Sequence, residues 1–185
     1  MKISAAMVKA LRERTGSGMM ECKRALTAAE GDLELAVDQM RKAGLAKADK
    51  KSGRIAAEGT IGVKVSDDGK TVAMVDVNCE TDFVSKGDEF KSFAAAVADA
   101  VLLADGETVD DINALGLANG QTVDGVRREM IAKLGENITV RRVKKFASQG
   151  GTACYLHGSR IGVIVELQKA DAALGKDIAM HVAAT

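Results

Sequence analysis

Few side chains in this sequence can make or break a bond. There are three cysteines (Cys22, Cys79, Cys154) and two histidines (His157, His181). An odd cysteine count with no CxxC pair argues against both a disulfide framework and a zinc knuckle. Cys154 and His157 stand three positions apart, but a nucleophilic pair also needs an orienting third group and an oxyanion site. Cys22 and Cys79 read as small apolar side chains. No cluster of metal ligands is visible. Gly16-Ser17-Gly18 lacks the third glycine of a dinucleotide fingerprint and has no strand before it, and no GxxxxGK[ST] occurs. No catalytic residue, metal or cofactor is therefore expected.

The informative stretch is Asn78-Cys79-Glu80-Thr81-Asp82-Phe83-Val84-Ser85-Lys86-Gly87-Asp88-Glu89. It is polar, sits between a predicted strand and a predicted helix, and holds one of only five aromatic residues. Loops carried on a rigid scaffold are where function concentrates. Phe83 beside Asp82 offers an apolar wedge next to a carboxylate, suited to entering another protein and disturbing a charged site there. The alternative is a plug: Phe83 and Val84 fold back onto the core while Asp82 caps a turn.

The elements that must position this stretch follow from hydrophobic periodicity. Residues 1–44 read as three short helices. The first carries Ala6, Val8 and Leu11, and Thr15-Gly16-Ser17-Gly18 ends it. The second is capped by Ser17 and runs to Gly31. The third is capped by Asp32, carries the stripe Leu33, Ala36, Val37 and Met40, and stops at Gly44. Residues 45–58, with Lys47, Lys50, Lys51 and Arg54, read as a solvated, partly helical linker. After Gly59 the period becomes two: Ile61, Val63 and Val65, a turn at Asp67-Asp68-Gly69-Lys70, then Val72–Val77, which is a β-hairpin. A helix with Phe90, Phe93, Val97 and Val101 follows. A second helix, with Val123, Val126, Met130 and Ile131, ends at Gly135, and a strand covers Asn137–Phe146. This β-β-α-α-β order predicts an α+β unit. The hairpin-then-helix order then repeats in Gly151–Leu156, Ile161–Leu167 and a helix from about Ala172. Val163-Ile164-Val165 answers Val75-Asp76-Val77, and Ile178 and Val182 answer Phe93 and Val97. The expected domains are 1–54, 55–147 and 148–185, the last a partial repeat in a shortened chain.

Composition sets the outer bounds. The 185 residues are 46% hydrophobic and 28% charged, an ordinary globular mixture that excludes intrinsic disorder. No apolar run approaches the about 18 residues of a membrane span. The first residues do not read as a signal peptide, so a cytoplasmic location is expected. The zero net charge hides a segregation. Residues 1–54 hold 12 basic and 7 acidic side chains, residues 55–135 hold 7 and 15, and residues 136–185 hold 7 and 4. Such blocks suggest separate modules facing a partner with a matching field. With no overall basic excess, direct nucleic-acid contact is not expected. The other function class to weigh is a nucleic-acid-associated module using the basic 41–54 segment, although no aromatic residue lies there for base stacking.

Five segments together resemble the bacterial elongation factor Ts family. They are Val8–Leu26, with Arg12-Glu13-Arg14-Thr15-Gly16-Ser17-Gly18-Met19-Met20 at its centre; Val77–Val84; Lys133–Arg142; and His157–Val163 with Asp177–Ala184. They lie in the family's order across essentially the whole chain. The resemblance implies a ubiquitin-associated-like helical bundle, then a core of two related subdomains, the second incomplete here. It implies guanine-nucleotide exchange on elongation factor Tu, a P-loop GTPase, during translation elongation, with no covalent chemistry and hence no enzyme activity. Thr81, Asp82, Phe83 and Val84 would enter the partner near its Mg²⁺ site. Arg12, Met19, Met20 and His157 match partner-binding positions. No membrane contact is implied, and a homodimer is left open.

Overall fold

A computed structural model describes residues 3–104 and 108–185. The fold is α+β, with three N-terminal helices followed by small antiparallel sheets flanked by helices. The chain divides into two units, Met1–Gly53 with Arg128–Gly135, and Arg54–Arg127 with Glu136–Thr185.

In the first unit, α1 (Ala5–Thr15) begins at Ser4, whose hydroxyl accepts from the Met7 N–H at 3.2 Å. It ends at Gly16, whose left-handed φ of 66° lets its N–H return to the Arg12 carbonyl. α2 (Met19–Ala28) follows, and its N-cap is Gly18, without a side-chain cap, in place of the expected Ser17. Asp32 caps α3 (Leu33–Lys51) as expected, accepting from the Leu35 N–H at 3.0 Å. α1 and α2 are too short to persist alone. Val8, Leu11, Cys22, Leu26, Ala29 and Ala36 give the three a shared core.

Gly44 does not stop the third helix, and the following residues are not a linker as far as Lys51. A glycine inside a helix costs about 1 kcal/mol against alanine, and here its bareness admits a neighbour. A Cβ on Gly44 would lie 2.9 Å from the Ala132 Cβ. Asp49 pairs with Arg128, and Lys51 donates to the Gly135 carbonyl. The helix runs on because its flank has a surface to bury.

The second unit opens with β1 (Glu58–Val65) and β2 (Thr71–Cys79), paired antiparallel from Glu58↔Cys79 to Val65↔Val72 around a turn containing Gly69. One helical turn, α4 (Asp82–Ser85), precedes α5 (Asp88–Leu103). α5 buries Phe90, Phe93, Ala94, Val97, Ala98 and Val101 and packs against β1 and β2. The helix backbone lies close over Gly62, where a Cβ would lie 2.4 Å from the Ala94 carbonyl oxygen. Two elements outside the sequence expectation are α4 and α6 (Val109–Ala114), the latter held by a capping box between Thr108 and Asp111. α7 (Val123–Leu134) ends at Gly135, and β3 (Thr139–Ala147) pairs with β2, so the sheet order is β1-β2-β3. The β2–β3 pairing shifts register between Asp76 and Val77.

β4 (Gly151–His157) and β5 (Ile161–Leu167) form a separate two-stranded sheet, on which α8 (Ala172–Ala184) packs. The hairpin is tied to the β1–β2 turn: the Thr152 N–H and hydroxyl both donate to the Gly69 carbonyl at 2.8 Å. Among the described residues no helix is long and apolar enough to cross a membrane.

Candidate functional site

α4 gives the Asn78–Glu89 stretch a definite shape. Thr81 has extended backbone angles and caps the turn, its hydroxyl accepting from the Val84 N–H at 3.4 Å. Val84 and Ser85 point inward and are buried. Phe83, one position earlier, is 86% exposed. A plug would require Phe83 to be covered, so only Val84 plays that part, and the cap is Thr81 and not Asp82. Asp82 instead pairs with Lys86 one turn on, at 2.6 Å. The hydrogen bond and charge of Lys86 hold the Asp82 carboxyl below the usual carboxylate range. The apex therefore presents one bare aromatic ring beside an ionised acid.

One helical turn cannot hold itself, and side chains from elsewhere anchor its base. The Glu136 carboxylate accepts from the Glu80 N–H (3.1 Å), the Thr81 N–H (3.0 Å) and the Thr81 hydroxyl (2.6 Å). In the other direction the Glu80 carboxylate accepts from the Asn137 N–H at 2.6 Å and pairs with Arg54 at 2.6 Å. The Asn137 side-chain amide donates to the Arg54 carbonyl at 2.7 Å. Beneath the turn, Cys79 is fully buried and its thiol donates to the Thr81 carbonyl. Burial, and next the Glu136 charge, push that thiol up to about 11, so it stays protonated and unreactive.

The other candidates stand on separate elements. Arg12 is exposed on α1, and its side chain makes no hydrogen bond or ion pair among the described residues. Met19 and Met20 open α2, 47% and 67% exposed, outside the cluster its buried residues join. His157 is exposed at the end of β4, with Nδ1 3.2 Å from the Tyr155 hydroxyl. The 158–160 turn beyond it is fastened to β1, since the Ile61 N–H donates to the Ser159 carbonyl. Cys154 and His157 are three apart on a strand and so face opposite sides. Burial raises the Cys154 thiol, opposite to what a nucleophile needs. Among the described residues no three His, Cys, Asp or Glu side chains gather as a metal site would need.

A family model described as elongation factor TS matches residues 80–185, from the base of the α4 turn to the end of the chain. The chain belongs to the elongation factor Ts family. Elongation factor Ts of Methylococcus capsulatus is 64% identical over 186 residues, covering all of this chain and 64% of that protein. That of Alkalilimnicola ehrlichii is 57% identical over 188 residues, covering all of this chain and 63% of the relative. Elongation factor Ts of Arthrospira platensis is 55% identical over 182 residues, covering 98% of this chain and 74% of that protein. The chain thus spans under two thirds of the length of the first two relatives.

Against this elongation factor Ts background, the sequence placed Glu80 in the informative stretch without its partners, and Glu136, Asn137 and Arg54 were missed as parts of the site. Glu136-Asn137 directly follows the Gly135 helix stop, which was the one local signal available. Their pairing with Glu80 spans more than fifty positions, beyond the reach of any periodicity.

Proposed function

We propose that this chain is a guanine-nucleotide exchange factor acting on elongation factor Tu in translation elongation. The observation that carries the reading is Phe83, 86% exposed on a turn whose next two residues are buried. An exposed aromatic ring on an anchored apex is what a wedge requires. A P-loop GTPase holds its β-phosphate with backbone N–H groups and a Mg²⁺ ion. The Thr81-Asp82-Phe83-Val84 turn enters near that ion with Phe83 and Asp82 foremost and Val84 holding it from below, and displaces the segments that order it. The ion's bridging charge is lost and GDP leaves. Arg12, Met19, Met20 and His157 supply docking contacts, and residues 1–54, 55–147 and 148–185 act as modules of that docking. No covalent step is needed, so the activity is displacement and not enzyme chemistry. By linkage, whatever factor this chain takes off nucleotide affinity, nucleotide takes off the affinity of this chain.

The basic 41–54 segment gives less support to a nucleic-acid role. Arg41 and Lys42 pair with Asp38, Lys47 with Glu21 and Arg54 with Glu80, and Lys51 donates to a carbonyl.

The test is release of a fluorescent GDP from elongation factor Tu. The intact chain should accelerate it. Phe83→Ala should cut the acceleration roughly 5- to 150-fold, the range of typical coupling energies, and Asp82→Ala less. Stability should move by no more than about 0.5 kcal/mol, as for a surface substitution. No acceleration by the intact chain would refute the function, and full acceleration by Phe83→Ala would refute the wedge.

A further inference from the structure

The base of the α4 turn is a cross-clamp between two loops. Glu136, in the loop between α7 and β3, takes two backbone N–H groups and a hydroxyl from Glu80-Thr81. Glu80, in the loop between β2 and α4, takes the backbone N–H of Asn137. Each loop's acid thus satisfies the other loop's backbone, as a capping box does within one helix. Backbone donors in an irregular segment must find acceptors, and a carboxylate taking several at once is the strong form of that bond. Arg54 neutralises one side of the clamp through its 2.6 Å pair with Glu80.

The consequence concerns aim. α4 has four residues, and Phe83 has no packing of its own to fix its direction. What fixes it is the pair of anchors on either side: Val84 buried below the turn, and Thr81 held by Glu136. We infer that Glu136 is a positioning residue for nucleotide exchange: it never meets the partner's nucleotide site, but it sets the angle at which Phe83 is presented. The inference rests on the exchange reading above and names the residue on which its efficiency depends.

An amide tests this, because Glu136→Gln keeps the shape but removes the negative charge: one oxygen still faces the Glu80 and Thr81 N–H groups, the NH₂ falls on the Thr81 hydroxyl, and the bonds are no longer charge-assisted. Two measurements are made on the intact chain. Amide hydrogen exchange at Glu80 and Thr81 should speed up by roughly tenfold or more on losing these charge-assisted bonds, while Val75 and Val77 stay as protected as before. The maximal rate of fluorescent-GDP release should fall roughly 10-fold. The concentration of chain giving half that rate should change by less than about threefold, because docking residues are untouched. A merely structural role would lower the melting temperature and leave the rate per folded molecule intact, and that outcome overturns the inference. Unchanged protection at Glu80 and Thr81 overturns it as well, as does loosened protection with full release. If Glu136→Gln fails to fold, Glu136→Asp, which keeps the charge on a shorter arm, is read by the same criteria. If the unaltered chain releases no GDP, the exchange reading itself fails and takes the inference with it, whatever the amide protection shows.

Discussion

In β1–β2–α5 the helix stripe Phe90, Phe93, Val97 and Val101 is buried, and a third strand, β3, closes the far side of β2. In β4–β5–α8 the residues answering Phe93 and Val97 are Ile178 and Val182, which are 37% and 50% exposed. The sheet there has two strands among the described residues. The two hairpin–helix groups share element order and apolar spacing, and differ in how many strands the sheet beneath the helix has among the described residues. Periodicity therefore sets which face of a helix is apolar, while burial of that face depends on what else is present to cover it. A two-stranded hairpin is marginal alone, and β4–β5 leans on the first sheet: Thr152 bonds the Gly69 carbonyl, and a Cβ on Gly162 would fall 2.8 Å from the Met74 sulfur.

The sharpest break in the comparison is a pair of truncations. Phe90→Ala should cost about 3–5 kcal/mol, as for a fully buried aromatic residue, and Ile178→Ala about 1 kcal/mol or less, because much of that side chain already meets water. Thermal melting of both variants decides it. Equal costs would mean that α8 is covered in solution by something beyond the described residues.

Both helices meet their hairpins through a glycine, but on opposite partners. Gly62 is on the strand beneath α5, and Gly175 is on α8 itself, where a Cβ would lie 2.4 Å from the Ala153 Cβ. Overpacking of this kind typically costs about 1–3 kcal/mol. Gly62→Ala has nothing to offset that cost, since the neighbour is a backbone carbonyl of a fixed helix. Gly175→Ala recovers up to about 1 kcal/mol of helix propensity and presses on a methyl group. Denaturant melts should therefore show the larger loss for Gly62→Ala. The reverse order would show α8 to be the more rigidly held of the two.

The smallest contrast is between thiols. Cys79 lies fully buried under the first sheet's exit and its thiol is raised from 9.0 to about 11, whereas Cys154 is half-buried in β4 and raised by burial alone. A raised thiol favours the protonated fold. Its contribution is fully present below about pH 9, where both states are protonated, and is lost as pH climbs towards 11, because the unfolded chain ionises first. Between those values the intact chain should lose stability more steeply than Cys79→Ala, with Cys154→Ala nearer the intact slope. Parallel slopes for all three would show that Cys79 does not titrate in this range.

Much of this architecture was legible in the residues. The Asp32 cap, both hairpins, the turn of the first, the Phe90–Val101 stripe and the Gly135 stop are each set by neighbours within about one helical turn or one strand pair. Two of the errors share a cause. Gly44 reads as a stop because local propensity says so, and only contact with Ala132, far along the chain, overrides it. Phe83 and Val84 are adjacent apolar residues whose fates part on the geometry of a single turn. That turn is in turn set by Glu136, and no window of sequence contains both ends of the clamp.

The reach of the clamp also bears on the order of folding. Joining Thr81 to Glu136 closes a loop with a sequence separation of 55 residues, and the entropy of that closure is offset only when contacts across it already exist. The β1–β2 hairpin is local and can form early. β3 must find β2 before Glu136 comes within reach of its three donors, so the α4 turn takes shape on the native side of the rate-limiting barrier. Glu136→Gln should accordingly speed unfolding and leave the refolding rate almost unchanged, a φ-value near zero, whereas substitutions in the β1–β2 pairing slow refolding. A φ-value near one at Glu136 would place the turn in the nucleus instead. In the expected case, the α4 turn is the last segment to be built and the first to come apart, and it can loosen without the sheet beneath it opening.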